Sequence, residues 1–182
     1  MITANQVQFL LSAPQAAAGY TKPGSPGNSL GLYVSTSQLS TANNGLDALF
    51  TDLTGAQNAA DQVDYACLFV YNSNGTNSML NGVAWLPTGL LGAGNQALFA
   101  IAVDTTPPSA LAASTAQALS IQSPIQAPGG LTWYAPSPSS SGGHRSPTVP
   151  AGDVLALWIR RTANGVAASN QVGIDVTFDS LA

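Results

Sequence analysis

The chain has 182 residues, of which 7% are charged, with eight acids (all aspartate), three arginines, one lysine, one histidine and a formal net charge of −4. A soluble domain ordinarily carries about a quarter charged residues, and four cations cannot furnish the basic face that nucleic-acid binding needs. No run approaches the ~20 apolar residues of a membrane-spanning helix, so neither nucleic acid nor membrane is an expected partner.

In chain order, Asn5–Leu11 places Val7, Phe9 and Leu11 on one face and reads as a strand. Ala13–Ser29 is rich in Pro and Gly and lacks periodicity, so it reads as an extended arm. Leu30–Val34 resumes an apolar run. Leu46, Leu49, Phe50 and Leu53 follow helical spacing after Asn43 and Asn44 as cap candidates, with Gly55 as the stop. Asp64–Tyr71 is apolar on both faces, as in a doubly covered strand, and Asn72–Asn77 carries an Asn-Gly hairpin signal. Strands are then expected at Ser78–Leu86, Ala97–Val103, Gln117–Gln122, Leu131–Tyr134, Val154–Arg161 and Val172–Phe178, with a Ser/Gly-rich loop at Ser137–Pro150. The fold class is therefore mainly β: an antiparallel sandwich, jelly-roll or Ig-like, with one short helix and an extended N-terminal arm. Residues 1–45 are assigned to the N-terminal strand and arm, and residues 46–182 to the sandwich core.

Residues able to do chemistry are few. His144 lies in the Ser/Gly-rich loop without a Gly-x-Ser-x-Gly elbow and reads as a solvated loop histidine. Cys67, alone and mid-strand, reads as a buried small hydrophobe, and no disulfide is available to it. The aspartates form no Asp-x-Asp-x-Asp-Gly loop. No enzyme, cofactor or metal is expected. The opening residues lack the basic and apolar regions of a secretory signal, and synthesis in a cytoplasm is the expectation.

Arg160 and Arg161 end a strand, and neighbouring strand residues point to opposite faces, so one of them shares a side with Trp158. An aspartate such as Asp64 or Asp153 would bridge one within the chain; otherwise the pair would act between subunits. Trp85, Trp133 and Trp158 read mainly as core, with Trp133-Tyr134 the pair most open to solvent. Trp133, Tyr134, Arg160 and Arg161 are the candidate interface residues, because Trp, Tyr and Arg anchor protein contacts.

Several segments are similar to a group of tailed-bacteriophage virion proteins: Leu49-Phe50-Thr51-Asp52-Leu53-Thr54-Gly55, Asp64–Asn72, Pro150-Ala151-Gly152-Asp153 and Leu157-Trp158-Ile159-Arg160-Arg161-Thr162. The resemblance runs from about residue 30 onward and departs at Ala66, where an arginine is the pattern. It implies a sandwich-cored structural protein of the virion: a capsid cement or decoration protein on the capsid surface, bound to the major capsid protein as a homo-oligomer, with a trimer favoured. A tail or head–tail adaptor component is the alternative within that class. A carbohydrate- or receptor-binding module at a fibre tip, built on Trp133, Tyr134 and the Ser137–Pro150 loop, is the alternative outside it.

Overall fold

The computed structural model describes residues 1–13, 24–25, 27–39, 49–86, 98–137, 139–163 and 175–180 (backbone alone at 98 and 175–180). Nine strands lie within them: β1 (Val7–Ala13), β2 (Tyr33–Gln38), β3 (Val63–Asn72), β4 (Met79–Trp85), β5 (Leu98–Val103), β6 (Ser109–Ala110), β7 (His144–Arg145), β8 (Asp153–Thr162) and β9 (Asp175–Ser180). A six-stranded antiparallel sheet runs in the order β2-β1-β3-β8-β5, with β6 paired to the start of β8, and β7-β4-β9 forms a second sheet.

The two longest strands sit at the centre because their middle runs, Ala66–Val70 and Val154–Ile159, are apolar on both faces. β3 and β8 pair from Val63↔Thr162 to Tyr71↔Val154, and alternate residues enter two separate cores. Ala66, Leu68, Val70, Leu155, Leu157 and Ile159 face one side, where Met79, Ala84, Leu86 and Val149 cover them. Cys67, Phe69, Val154, Ala156 and Trp158 face the other, under Leu30, Ala118 and Ile121. The fold is thus mainly antiparallel β, with the smaller sheet on one face of the larger and irregular chain roofing the second face.

That roof satisfies backbone groups without forming strands. Beyond the last rung with β1, the free edge of β3 is completed by loops, Tyr65 N–H donating to Pro124 O and Cys67 N–H to Ser29 O, both at 2.7 Å. Gly31 has φ +88 and lies so close to the Leu119 carbonyl that a Cβ would come within 1.9 Å of it, hence glycine there. The strands expected at Gln117–Gln122 and Leu131–Tyr134 reduce to single bridges, Gly31↔Ser120 and Ile101↔Tyr134.

Two further expectations are corrected. Leu49–Leu53 is not helical; the short helix α1 is Gly55–Ala59, opened by a capping box in which Gln57 N–H donates to Thr54 Oγ1 while the Gln57 side chain reaches back to Thr54 N–H. The apolar spacing instead carries Leu49 and Phe50 into the core. The Asn72–Asn77 segment is not a hairpin, since β3 and β4 belong to different sheets. The Asn74 carboxamide oxygen takes the N–H groups of Thr76 and Asn77, and Asn72 Nδ2 donates to the carbonyls of Asn77, Val149 and Pro150, so the side chains build a corner between sheets. β1 and β2 are strands of the six-stranded sheet.

Most of the arm, residues 14–23 and 26, lies outside the described residues, as do residues 41–48 and the inward–outward assignment of the side chains of Val172–Phe178. The described end of the arm is built into the fold. Ser29 is fully buried, its hydroxyl accepting from Ser12 N–H at 2.7 Å and reaching Cys67 O at 2.5 Å.

Candidate functional site

The rung Tyr65↔Arg160 of the β3–β8 ladder carries the site. Arg160 shares its face with Trp158, two residues before it, and its guanidinium carbon lies 5.3 Å from the centroid of the Trp133 ring. Tyr65, directly opposite, packs its ring 5.6 Å from Trp133 at 52°. All three are half-buried. Trp133 is placed by its neighbour: Tyr134 exchanges both backbone hydrogen bonds with Ile101 on β5, at 2.8 and 2.9 Å. In that extended stretch successive side chains diverge, so Trp133 turns toward the roofed face and Tyr134 toward the small sheet.

Arg161, one residue on, faces the opposite way and has its carboxylate partner within the chain. Its Nη2 donates to Asp64 Oδ2 at 2.7 Å and to Thr51 O at 2.9 Å, and its guanidinium lies over the Phe50 ring at 4.6 Å. The side chains retain only 11% and 5% exposure, so this is a desolvated pair. Asp64 was one of the two aspartates the sequence offered for this bridge. Asp153 instead opens β8, where burial raises its carboxyl above the ordinary range. The two arginines therefore differ in kind. The Nε of each is buried without a hydrogen bond, but only Arg160 lacks a carboxylate partner among the described residues.

Of the four candidate interface residues, the structure brings Trp133 and Arg160 together and sends Tyr134 and Arg161 to the other face. Tyr65 is the member the sequence did not single out. Only the strand register, with Tyr65 across from Arg160, reveals it.

His144 is not a solvated loop residue. It lies in β7, paired with Ala84, its ring stacked on Tyr134 at 4.6 Å and 27°. Its Nδ1 accepts the N–H of Val103 at 2.9 Å, linking the end of β5 to the small sheet. That bond requires an unprotonated Nδ1, and burial lowers the imidazole below its usual value. Gly143 permits the approach, since a Cβ there would sit 2.7 Å from the Ala84 carbonyl oxygen.

Cys67 is fully buried, its thiol pushed well up by burial and, secondarily, by the charge of Asp104. Such a thiol is a packing group rather than a nucleophile. Asp104 is itself buried, accepting from Trp158 Nε1 at 2.6 Å, Thr106 N–H at 2.7 Å and Leu119 N–H at 3.0 Å. It ties the central tryptophan to the roof and was not legible as a special residue. Among the described residues no three of His, Cys and Asp gather as metal ligands, and no helix is long and apolar enough to cross a membrane.

The arrangement can hold a partner through a planar cation backed by the Trp133 ring, which is itself packed on Tyr65. Comparison with protein-family models, with curated proteins and with solved structures yields no significant match for this chain.

Proposed function

We propose that this protein is a structural component of a tailed-bacteriophage virion, a capsid cement or decoration protein that binds across capsomers and stabilises the shell. The observation that carries the reading is the Tyr65–Trp133–Arg160 patch on a charge-poor, rigid β fold. These three residue types dominate the energetics of protein contacts. The segments similar to virion proteins add to this, since they include β3 and β8, which present two members of the patch. A cement protein that binds the assembled shell and not its free subunits stabilises the shell by mass action.

The test adds the purified protein to expanded shells that lack it. The expected results are saturable binding and a rise in shell melting temperature; no binding would sink the cement reading. Copy number per virion separates the shell from the tail or head–tail adaptor, hundreds against a dozen or fewer. The receptor-binding alternative needs Trp133 and Tyr134 on one surface. Their side chains belong to separate clusters on opposite faces, which favours the cement reading. Glycan binding abolished by Trp133→Ala would reverse that preference.

A further inference from the structure

The Arg160 guanidinium is a fixed cation awaiting an acceptor. One flank rests on Trp133, and no aspartate among the described residues reaches it. A planar fork of N–H donors of this kind matches a carboxylate in two-point geometry, and carboxylates are the only anionic side chains this chain carries. The adjacent Arg161 shows what completion looks like, with Asp64 at 2.7 Å.

The chain itself carries the complement. Of its described aspartates, Asp64 is bridged, Asp104 is buried in hydrogen bonds, and Asp153 is partly buried at the start of β8. Asp52 and Asp61 remain exposed. Asp52 follows Thr51, whose carbonyl accepts from Arg161, and so lies beside the satisfied arginine. Asp61 lies in the turn that enters β3, just before the rungs Val63↔Thr162 and Tyr65↔Arg160, at the same end of the sheet as the open cation. Its backbone is held in the left-handed region at φ +49, with its N–H donated to Asn58 O, so the carboxylate is presented from a defined turn. It makes no ion pair among the described residues.

We propose that the Tyr65–Trp133–Arg160 patch is a contact between copies of this chain, in which Arg160 of one copy takes the Asp61 carboxylate of the next. Because donor and acceptor are different residues at one end of the sheet, each copy supplies one of each, and the contact can close a ring. Trp133 and Tyr65 form the dry centre that makes the ion pair worth more than an exposed one. Each copy carries a formal charge of −4, so this local pairing also sets the register against a general repulsion. The inference concerns the purified chain and does not depend on the virion reading.

The experiment is sedimentation velocity of the purified full chain over a wide concentration range. Wild type is expected at a multiple of 18.4 kDa. Arg160→Asp and Asp61→Arg should each weaken association about tenfold or more, equivalent to about 1.4 kcal/mol. The double charge-swapped variant should recover most of the loss. If Arg160→Asp lowers the melting temperature of the monomer, Arg160→Gln and Asp61→Asn replace the reversals, with the same direction expected. A wild type that stays monomeric overturns the proposal, as does an oligomer indifferent to either single change. So does a double variant that associates no better than the singles. A monomeric chain that still binds shells would leave the cement reading standing while this contact falls.

Discussion

The two faces of the six-stranded sheet are closed by different means. Toward the small sheet, Leu68, Val70, Leu157 and Ile159 meet Met79, Ala84 and Leu86, and the covering strands satisfy much of their own backbone through the ladder of β4, β7 and β9. On the other face the cover is irregular, and buried polar side chains do what a ladder would. Ser12, Ser29, Asp104 and Gln117 are all buried, and each bonds to main-chain groups. A strand cover asks its core mostly for shape, with polar side chains such as Asn72 bonding main chain only at its ends. A loop cover asks for side chains that stand in for missing strands, because an unpaired buried N–H costs about 1–3 kcal/mol.

That contrast can be broken, beginning where the effect is largest. Trp158→Ala should destabilise by about 3–5 kcal/mol in chemical denaturation, since it opens a large cavity and also strips Asp104 of its indole donor. Leu86→Ala, on the strand-covered face, should cost about 2–4 kcal/mol through volume alone. Hydrogen exchange should then show no newly exposed backbone amide near the site. Gln117→Ala should cost less, about 1–3 kcal/mol, but with a local signature. Val34 N–H loses its 3.1 Å acceptor and should exchange faster, while amides of the opposite face stay protected. Equal exchange profiles for Leu86→Ala and Gln117→Ala would erase the distinction between the faces.

The smallest expected effect concerns pH. His144 accepts from Val103 only when neutral, and burial holds its folded value below that of the unfolded chain, about 6.5. The native state therefore binds fewer protons. The contribution is complete above the unfolded value and is lost as pH falls through the lower folded one. The groups around the imidazole are the Tyr134 ring and the neighbouring Arg145, while the Asp104 carboxylate is turned to Trp158. Melting temperature should fall between pH 7 and 5 in wild type, and His144→Gln should flatten that slope.

The contrast between the faces also marks what the sequence could disclose. β3 and β8 were legible because unbroken apolar runs have one stable place, the middle of a doubly covered sheet. The Arg161–Asp64 bridge was legible only in part. Few acids were available and Asp64 was among them, but strand alternation pointed to the arginine on the Trp158 side. That is Arg160, which rests on Trp133 and has no carboxylate partner among the described residues. The roof was not legible, since Gln117, Asp104 and Ser29 are ordinary polar residues until a long-range partner is known. His144 was misplaced for a related reason: the Ser/Gly-rich composition around it describes the local chain, whereas its position is set by Val103 and Tyr134. The spacing of Leu49, Phe50 and Leu53 imitated a helix, but of these only Leu49 and Phe50 are buried, and they enter the core from a turn.

The pairing of β3 with β8 has a consequence for how the molecule is made. Cys67 sits opposite Trp158, so the central rung joins residues about 90 positions apart, a loop whose closure must precede any reward from the β3–β8 ladder. Such non-local topology slows folding. During synthesis β3 emerges long before its partner, with two apolar faces and a bare edge. The nascent chain is therefore at its most aggregation-prone between the appearance of β3 and the arrival of β8, and low charge offers little repulsion in that interval. Yield in the host should depend more on chaperone supply and translation temperature than on the stability of the finished fold.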